Sequence, residues 1–344
     1  MTLLVTGACG FVMSNLVRHW LDADPAAHVV AVDAWQPDAL WDRFMAPVRG
    51  RIRFVAGDVC DRAWWGALDP AGITHVVHGA AVTSGVGERE RALARRTVEV
   101  NVLGTLYALE WARAHGRLAR FVDVSTGSVY GDDGPDGPLP EDGWENRNPR
   151  SLYGISKRTG ELIAMRYAAI FGLPVATVRL SSVYGPMDRA SPARHIVCLP
   201  NRLVHWALAG RAPRLSTLDA VGDYIHAGDV AAAIATLLKA PHLEHHLFNI
   251  ALGRPVLVRE VLEHVTAAVP GFTWSVVPET QADIVEDSTR RRGAWGAYDI
   301  ARLRAVGWEP RPLGEAIAEY VAWVRVYEAG TDWPGFAIRA PSTA

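Results

Sequence analysis

The apolar runs LLVT, HVVAVD, IRFVAGD, THVVHGAA and ARFVDVST punctuate the chain from Leu3 to Thr126, with helical stretches between them. Strands this uniformly apolar are covered on both sides, and parallel neighbours need long crossovers, so the alternation predicts a parallel sheet with helices on both faces. A sixth strand is expected at PVATVRL. The stretch RALARRTVEVNVLGTLYALEWARAHG carries apolar residues at three- and four-residue spacing and closes with Gly116, which predicts one long amphipathic helix. After Gly185-Pro186 the pattern becomes irregular, and a smaller C-terminal part interleaved with the first is expected. The last residues, AIRAPSTA, read as a frayed tail.

The chain of 344 residues, 49% of them hydrophobic, is long enough for a large core. Its net charge of -2, without a basic stripe or polybasic tail, points away from nucleic acid and membranes and toward small-molecule partners. The three cysteines, Cys9, Cys60 and Cys198, have neither disulfide nor metal-ligand spacing, which fits a reducing compartment; the cytoplasm is expected. The histidines show no ligand spacing either, so no metal is expected, and His226 reads as structural.

Gly7 and Gly10 follow the first strand and precede a helix, where backbone N–H groups and a helix N-terminus converge on a phosphate. Asp33 ends the second strand, where a carboxylate accepts both hydroxyls of an adenosine ribose and repels a 2′-phosphate, favouring NAD over NADP. Asp58 ends the third strand and is placed to accept from an adenine amino group. Met13 stands where a third glycine would let helix and strand pack closely; methionine bends into irregular gaps, so a small helix shift is expected rather than loss of the site.

Tyr153 and Lys157, four apart in SLYGISKRTGE, share one face of a predicted helix. A tyrosine accepts a proton at neutral pH only if its pKa, near 10 when free, is pulled down. A lysine ammonium about 4 Å away contributes about 4 kcal/mol toward this at an effective dielectric near 20. The fifth strand ends in VSTGSVYG, where Thr126 or Ser128 would orient a substrate hydroxyl; a hydroxyl that caps the following turn would leave the same trace.

With these residues in order, the chain resembles the extended short-chain dehydrogenases/reductases of the NAD-dependent epimerase/dehydratase family. The similarity runs from about Thr2 to Trp323 through TGACGF, GDVCD, HGAA, NVLGT, STGSVYG, YGISK, RLSSVYGP, GDYIHAGDVA, FNIALGRP and VGWEP. It implies a Rossmann-like NAD-binding domain over residues 1–180. Residues 181–335 would be mainly substrate-binding, with segments returning to the core. By resemblance Thr126, Tyr153 and Lys157 match the catalytic positions, with Ser128 beside them. Gly7, Gly10, Phe11, Asp33, Asp58, Val59, Ala80 and Ala81 match cofactor positions, as do Tyr153 and Lys157, and Lys157 would also hold the nicotinamide ribose. Asn101 falls on a motif position that supports a helix. Such proteins commonly dimerise through the helices carrying Asn101 and Tyr153, so a homodimer is expected.

Departures bear on the substrate. Sugar-nucleotide 4,6-dehydratases place an Asp-Glu pair after the catalytic threonine, because eliminating water needs an acid and a base; here those residues are Gly127 and Ser128. Nucleotide-sugar members have an asparagine and an arginine on the diphosphate where this chain has Ser182 and Gly222, while Arg291, in the run Arg290 to Arg292, matches a further arginine position. Trp144, before Tyr153, lies near the expected crevice. The leading expectation is an NAD-dependent epimerase of a sugar, a nucleotide sugar first. The alternatives are a dehydrogenase of a non-nucleotide sugar or hydroxy acid, and a non-catalytic NAD-binding regulator.

Overall fold

The computed structural model describes residues 1–131, 138–143, 148–194, 197–286 and 297–328. In chain order the elements of the first part are β1 (Thr2–Thr6), α1 (Phe11–Ala23), β2 (His28–Asp33), α2 (Ala39–Met45), β3 (Ile52–Ala56), α3 (Arg62–Ala67), β4 (Ile73–His78), α4 (Glu88–Val98), α5 (Gly104–His115), β5 (Arg120–Thr126), α6 (Leu152–Phe171) and β6 (Val175–Leu180). There follow β7 (Ser182–Tyr184), α7 (Leu199–Leu208), β8 (Arg214–Leu215), β9 (Val221–Gly222), β10 (Tyr224–His226), α8 (Ala227–Lys239) and β11 (Leu247–Ile250).

Seven strands form one sheet in the order β11-β6-β5-β4-β1-β2-β3, all parallel. From β1 the chain winds outward through β2 and β3, then returns to lay β4 on the other side of β1. Strand order therefore reverses between β1 and β4, and the loops leaving their C-terminal ends flank the crevice where such sheets bind ligands. Side chains alternate across the sheet. Leu3 and Val5 pack into the core shared with α1 and α8, while Leu4 packs with Val76, Ala108 and Leu109 on the opposite face. The expected doubly wound sheet is thus the observed one. Two segments beyond residue 181 rejoin it: β11 pairs with β6, and α8 packs on α1. A small parallel pair, β7 with β10, stands apart from the main sheet.

The expected long helix before β5 is interrupted. Between α4 and α5 the backbone makes a π turn over Glu99–Leu103, and the helix ends at Gly116 in the left-handed conformation, φ +65°. The wider turn adds a residue that three- and four-residue spacing does not register, and such turns concentrate at functional sites. Its inward residue is Asn101, fully buried.

Candidate active site

The crevice begins with a backbone that only glycine fits. Gly7 has φ +69°, and a Cβ there would lie 2.8 Å from the backbone N and Cα of Ala80. The loop after β1 thus lies directly on the loop after β4. Gly10 closes a tight turn through its N–H to the Gly7 carbonyl, 2.9 Å, and is the N-cap of α1 without a side-chain cap. No acidic residue occupies the first turn of α1, so the helix N-terminus is left to an anion. Asp33, mostly buried at the end of β2, accepts from Cys9 N–H (2.9 Å) and Trp35 N–H (3.0 Å). Burial pushes its carboxyl above the ordinary value, and these backbone donors offset only part of that rise. These residues fit a dinucleotide: a glycine cradle, an open helix end and a strand-end carboxylate bonded to the cradle itself.

The remaining cofactor candidates sit at neighbouring strand ends. Thr6 Oγ1 accepts from the N–H groups of Gly79 (3.2 Å) and Ala80 (3.3 Å), which fixes the half-buried Ala80 and Ala81 beyond β4. Asp58 is ion-paired with Arg96 at 2.8 Å and accepts from Cys60 N–H at 3.0 Å. Burial alone would raise its carboxyl, but these partners hold it below the ordinary value. Val59 is buried against Gly104, and Phe11 lies under the Arg194 guanidinium, 4.9 Å away.

Met13 is accommodated by a second exchange. A Cβ at Gly79 would fall 2.3 Å from Met13 Sδ and 2.5 Å from its Cγ. The close helix–strand approach that a third glycine provides is preserved by moving the glycine to the strand side, where the methionine side chain lies buried.

Ser151 caps α6 through its hydroxyl, which accepts from Gly154 N–H at 3.1 Å and starts the helix just ahead of Tyr153. Tyr153 is half-buried in the first turn, and Lys157, one turn on, is 1% exposed. Asn101 ties this helix to the loop after β4. Its amide accepts from Val82 N–H (2.9 Å) and donates to Val82 O (3.1 Å) and Ser156 Oγ (3.0 Å). Thr126 ends β5; its Oγ1 accepts from Ser128 N–H at 3.2 Å and donates to Ser128 Oγ at 3.3 Å. Thr126 therefore caps the turn it precedes while standing at the strand end that faces the crevice.

Among the expected substrate residues, Ser182 is exposed at the start of β7, opposite Tyr224. The space a side chain at Gly222 would take belongs to Tyr224, whose Cζ and hydroxyl would lie 2.6 and 2.8 Å from a Cβ there. Arg291, with Arg290 and Arg292, and Trp144 lie outside the described residues. Tyr298 is a residue that the motifs did not single out. Its hydroxyl would be 1.9 Å from a Cβ at Gly127, so the position after Thr126 is filled by a phenol from a distant segment. Tyr298 is anchored by bridging to Leu139, by its N–H on Asp223 (3.3 Å) and by edge-on packing against Tyr130. Its burial pushes the hydroxyl well above its ordinary pKa, so it remains a neutral donor. The one sequence signal for it was Gly127 itself.

Comparison with known proteins shows the family and the fold. The sequence model of the NAD dependent epimerase/dehydratase family matches residues 3–251. A dTDP-glucose 4,6-dehydratase of Streptomyces griseus is 34% identical over 337 residues, covering 93% of this chain and 93% of its own. Among solved structures, a UDP-glucose 4-epimerase of Thermus thermophilus in complex with NAD is 28% identical with TM-score 0.74, over 94% of this chain and 99% of that one. A dTDP-glucose 4,6-dehydratase of Streptomyces venezuelae with NAD bound is 27% identical with TM-score 0.73, over 96% and 99%.

Proposed function

Because the chain belongs to the NAD-dependent epimerase/dehydratase family, as an NAD-dependent enzyme of the extended short-chain dehydrogenase/reductase type, we propose that it epimerises a sugar, in the first instance a nucleotide sugar. The observation that carries this reading is Gly127 beneath Tyr298. Losing water from a sugar needs an ionisable acid and base beside the catalytic threonine, and this chain has a glycine whose side-chain space is filled, followed by Ser128. Names among the relatives divide between dehydratases and epimerases, and the second class needs no such pair.

When bound, NAD supplies the hydride acceptor. In this reading Tyr153 takes the proton of the reacting hydroxyl, Lys157 stabilises the phenolate and holds the nicotinamide ribose, and Thr126 orients the substrate oxygen, with Ser128 at its side. Gly7, Gly10, Phe11, Asp33, Asp58, Val59, Ala80 and Ala81 hold the dinucleotide. The ketone turns and is reduced from its other face. Residues 1–180 then serve the cofactor and 181–335 mainly the sugar, with Ser182 and Arg291 on the substrate side.

A second reading, oxidation of a smaller sugar or hydroxy acid with release of NADH, is favoured by Tyr224 over Gly222 and by Ser182, which leave two expected diphosphate contacts unmade. The assay that separates the two offers NAD with UDP-, GDP- and dTDP-sugars beside free sugar acids. Isomer without NADH supports the first reading, and stoichiometric NADH the second.

Exposed Val98, Leu103, Ile155 and Leu162 lie on the helices around Asn101 and Tyr153, and we assign them to a homodimer contact. Sedimentation as a monomer at micromolar concentration would contradict it. Among the described residues no helix is long and apolar enough to cross a membrane and no cluster of metal ligands occurs; we place the enzyme in the cytoplasm.

A further inference from the structure

The face of the sheet beneath α6 carries a polar row where apolar packing would be expected. Thr6, His78, Asp123 and Thr177 are consecutive register partners across β1, β4, β5 and β6, so their side chains stand side by side on one face. All four are fully buried. Thr6 Oγ1 already accepts two backbone N–H groups, which occupies both lone pairs, so its own proton goes to His78 Nδ1, 2.9 Å away. His78 therefore carries its proton on Nε2. Burial, with Lys157 nearby, lowers its pKa to about 3 and keeps the ring neutral.

That Nε2–H makes no hydrogen bond to a described residue. Neither do the two carboxylate oxygens of Asp123, its register partner, nor the hydroxyls of Ser125 and Thr177. A buried donor without an acceptor beside a buried carboxylate without a donor is costly unless the two are joined, and buried water is the usual bridge between such groups. The charged groups facing Asp123 are Lys157 and Glu161 of α6. Glu161 is held by Arg179 of β6 in two parallel bonds, 3.0 and 2.9 Å, in a pair with no exposure. Asp123 is thus the carboxyl left to answer Lys157. Burial, with Glu161 adding to it and Lys157 opposing it, raises the Asp123 pKa to about 6.

We propose that Asp123, joined through buried water to Lys157 and to His78 Nε2–H, is an internal proton store for the reaction. The inference rests on Tyr153 and Lys157 acting as described above. When the substrate carbinol is oxidised, its C–H electron pair leaves as hydride for the nicotinamide and its O–H proton passes to Tyr153. Lys157 gives a proton to Asp123 and takes the tyrosine's in turn, so the phenolate is restored and the neutral carboxyl holds the proton. Reduction of the ketone reverses each transfer, and no proton exchanges with solvent. Asp123 acts through Lys157 and is a positioning residue.

The oxidised ring carries a positive charge that the reduced ring lacks, so the store should fill when NADH replaces NAD. This is read without substrate, by infrared difference spectroscopy of the protein with NAD against NADH at pH 7. The expected result is a protonated-carboxyl C=O band in the NADH complex, weaker with NAD and missing from Asp123→Asn in both. Asp123→Asn should also lower kcat by about a hundredfold, the low end for proton-transfer groups, and remove one limb of its pH profile. A flat wild-type difference spectrum overturns the proposal even if the variant does not fold, as does a band that survives in Asp123→Asn. Loss of turnover in Tyr153→Phe beside a flat spectrum would refute the store alone; full turnover in Tyr153→Phe would refute the reading beneath it.

Discussion

The cofactor side of the crevice and the side proposed for the sugar are built by opposite means. On the cofactor side main chain meets main chain: Gly7 lies on Ala80, Gly10 turns back on Gly7, and Asp33 bonds the loop through Cys9 N–H. On the side proposed for the sugar the space beside two glycines is taken by large side chains, that of Tyr298 from a distant segment over Gly127 and that of Tyr224, two residues along the chain, over Gly222. A glycine therefore carries different information in the two places. In the first it marks what the backbone must approach, and in the second what another side chain has taken over. Met13 and Gly79 show the second kind of exchange inside the first region.

The largest effect is expected where the two sides meet. Tyr153→Phe should lower kcat by about 10²- to 10⁴-fold, the range of general acid–base groups, with the thermal unfolding midpoint and NAD affinity unchanged. Near-normal turnover with substrate saturating would remove the catalytic role from YGISK.

Next in size, Asp123→Asn should stabilise the protein at high pH. The folded carboxyl titrates at about 6 against an ordinary 3.8, so its contribution is fully present below the ordinary value and is lost as pH rises through about 6. The difference of about two pH units corresponds to about 3 kcal/mol. Melts of wild type and variant should converge near pH 4 and separate above pH 6 with the variant higher; a constant gap would be the contrary finding.

Gly127→Asp tests the sugar side. It should not create dehydration, and by pressing on Tyr298 it should cost about 1–3 kcal/mol of stability. Joining it to Tyr298→Ala should cost less than the two singles summed, because the second change makes room for the first. Strict additivity in denaturant unfolding would mean that the two positions do not share space.

Asp33→Ala, the smallest change, should narrow the preference for NAD over NADP by about tenfold, about 1.4 kcal/mol, while the glycine cradle continues to bind both. Equal affinities in the unmodified protein, measured by calorimetry at one salt concentration, would count against Asp33 as the selector.

The same contrast explains what could be read from the sequence. Strand alternation, the glycine loop, Asp33 and the Tyr153/Lys157 spacing are local patterns whose geometry follows from one element and its period. The π turn at Glu99–Leu103 escaped because one added residue leaves the apolar spacing nearly intact. Tyr298, Gly79 and the row from Thr6 to Thr177 escaped because each exists only once distant strands and loops are side by side. Gly127 and Gly222 were visible as missing side chains; what had replaced them was not.

Epimerisation and dehydration differ in whether the substrate keeps its water. Converting dTDP-glucose and UDP-glucose with the NAD-loaded enzyme in D₂O, and analysing the product by mass spectrometry and NMR, decides it. Inversion at one carbon, with substrate mass unchanged and no deuterium fixed on carbon, is the predicted result, because the hydride returns to the carbon it left. A product that has lost water and gained carbon-bound deuterium would contradict it and restore dehydration as the reaction.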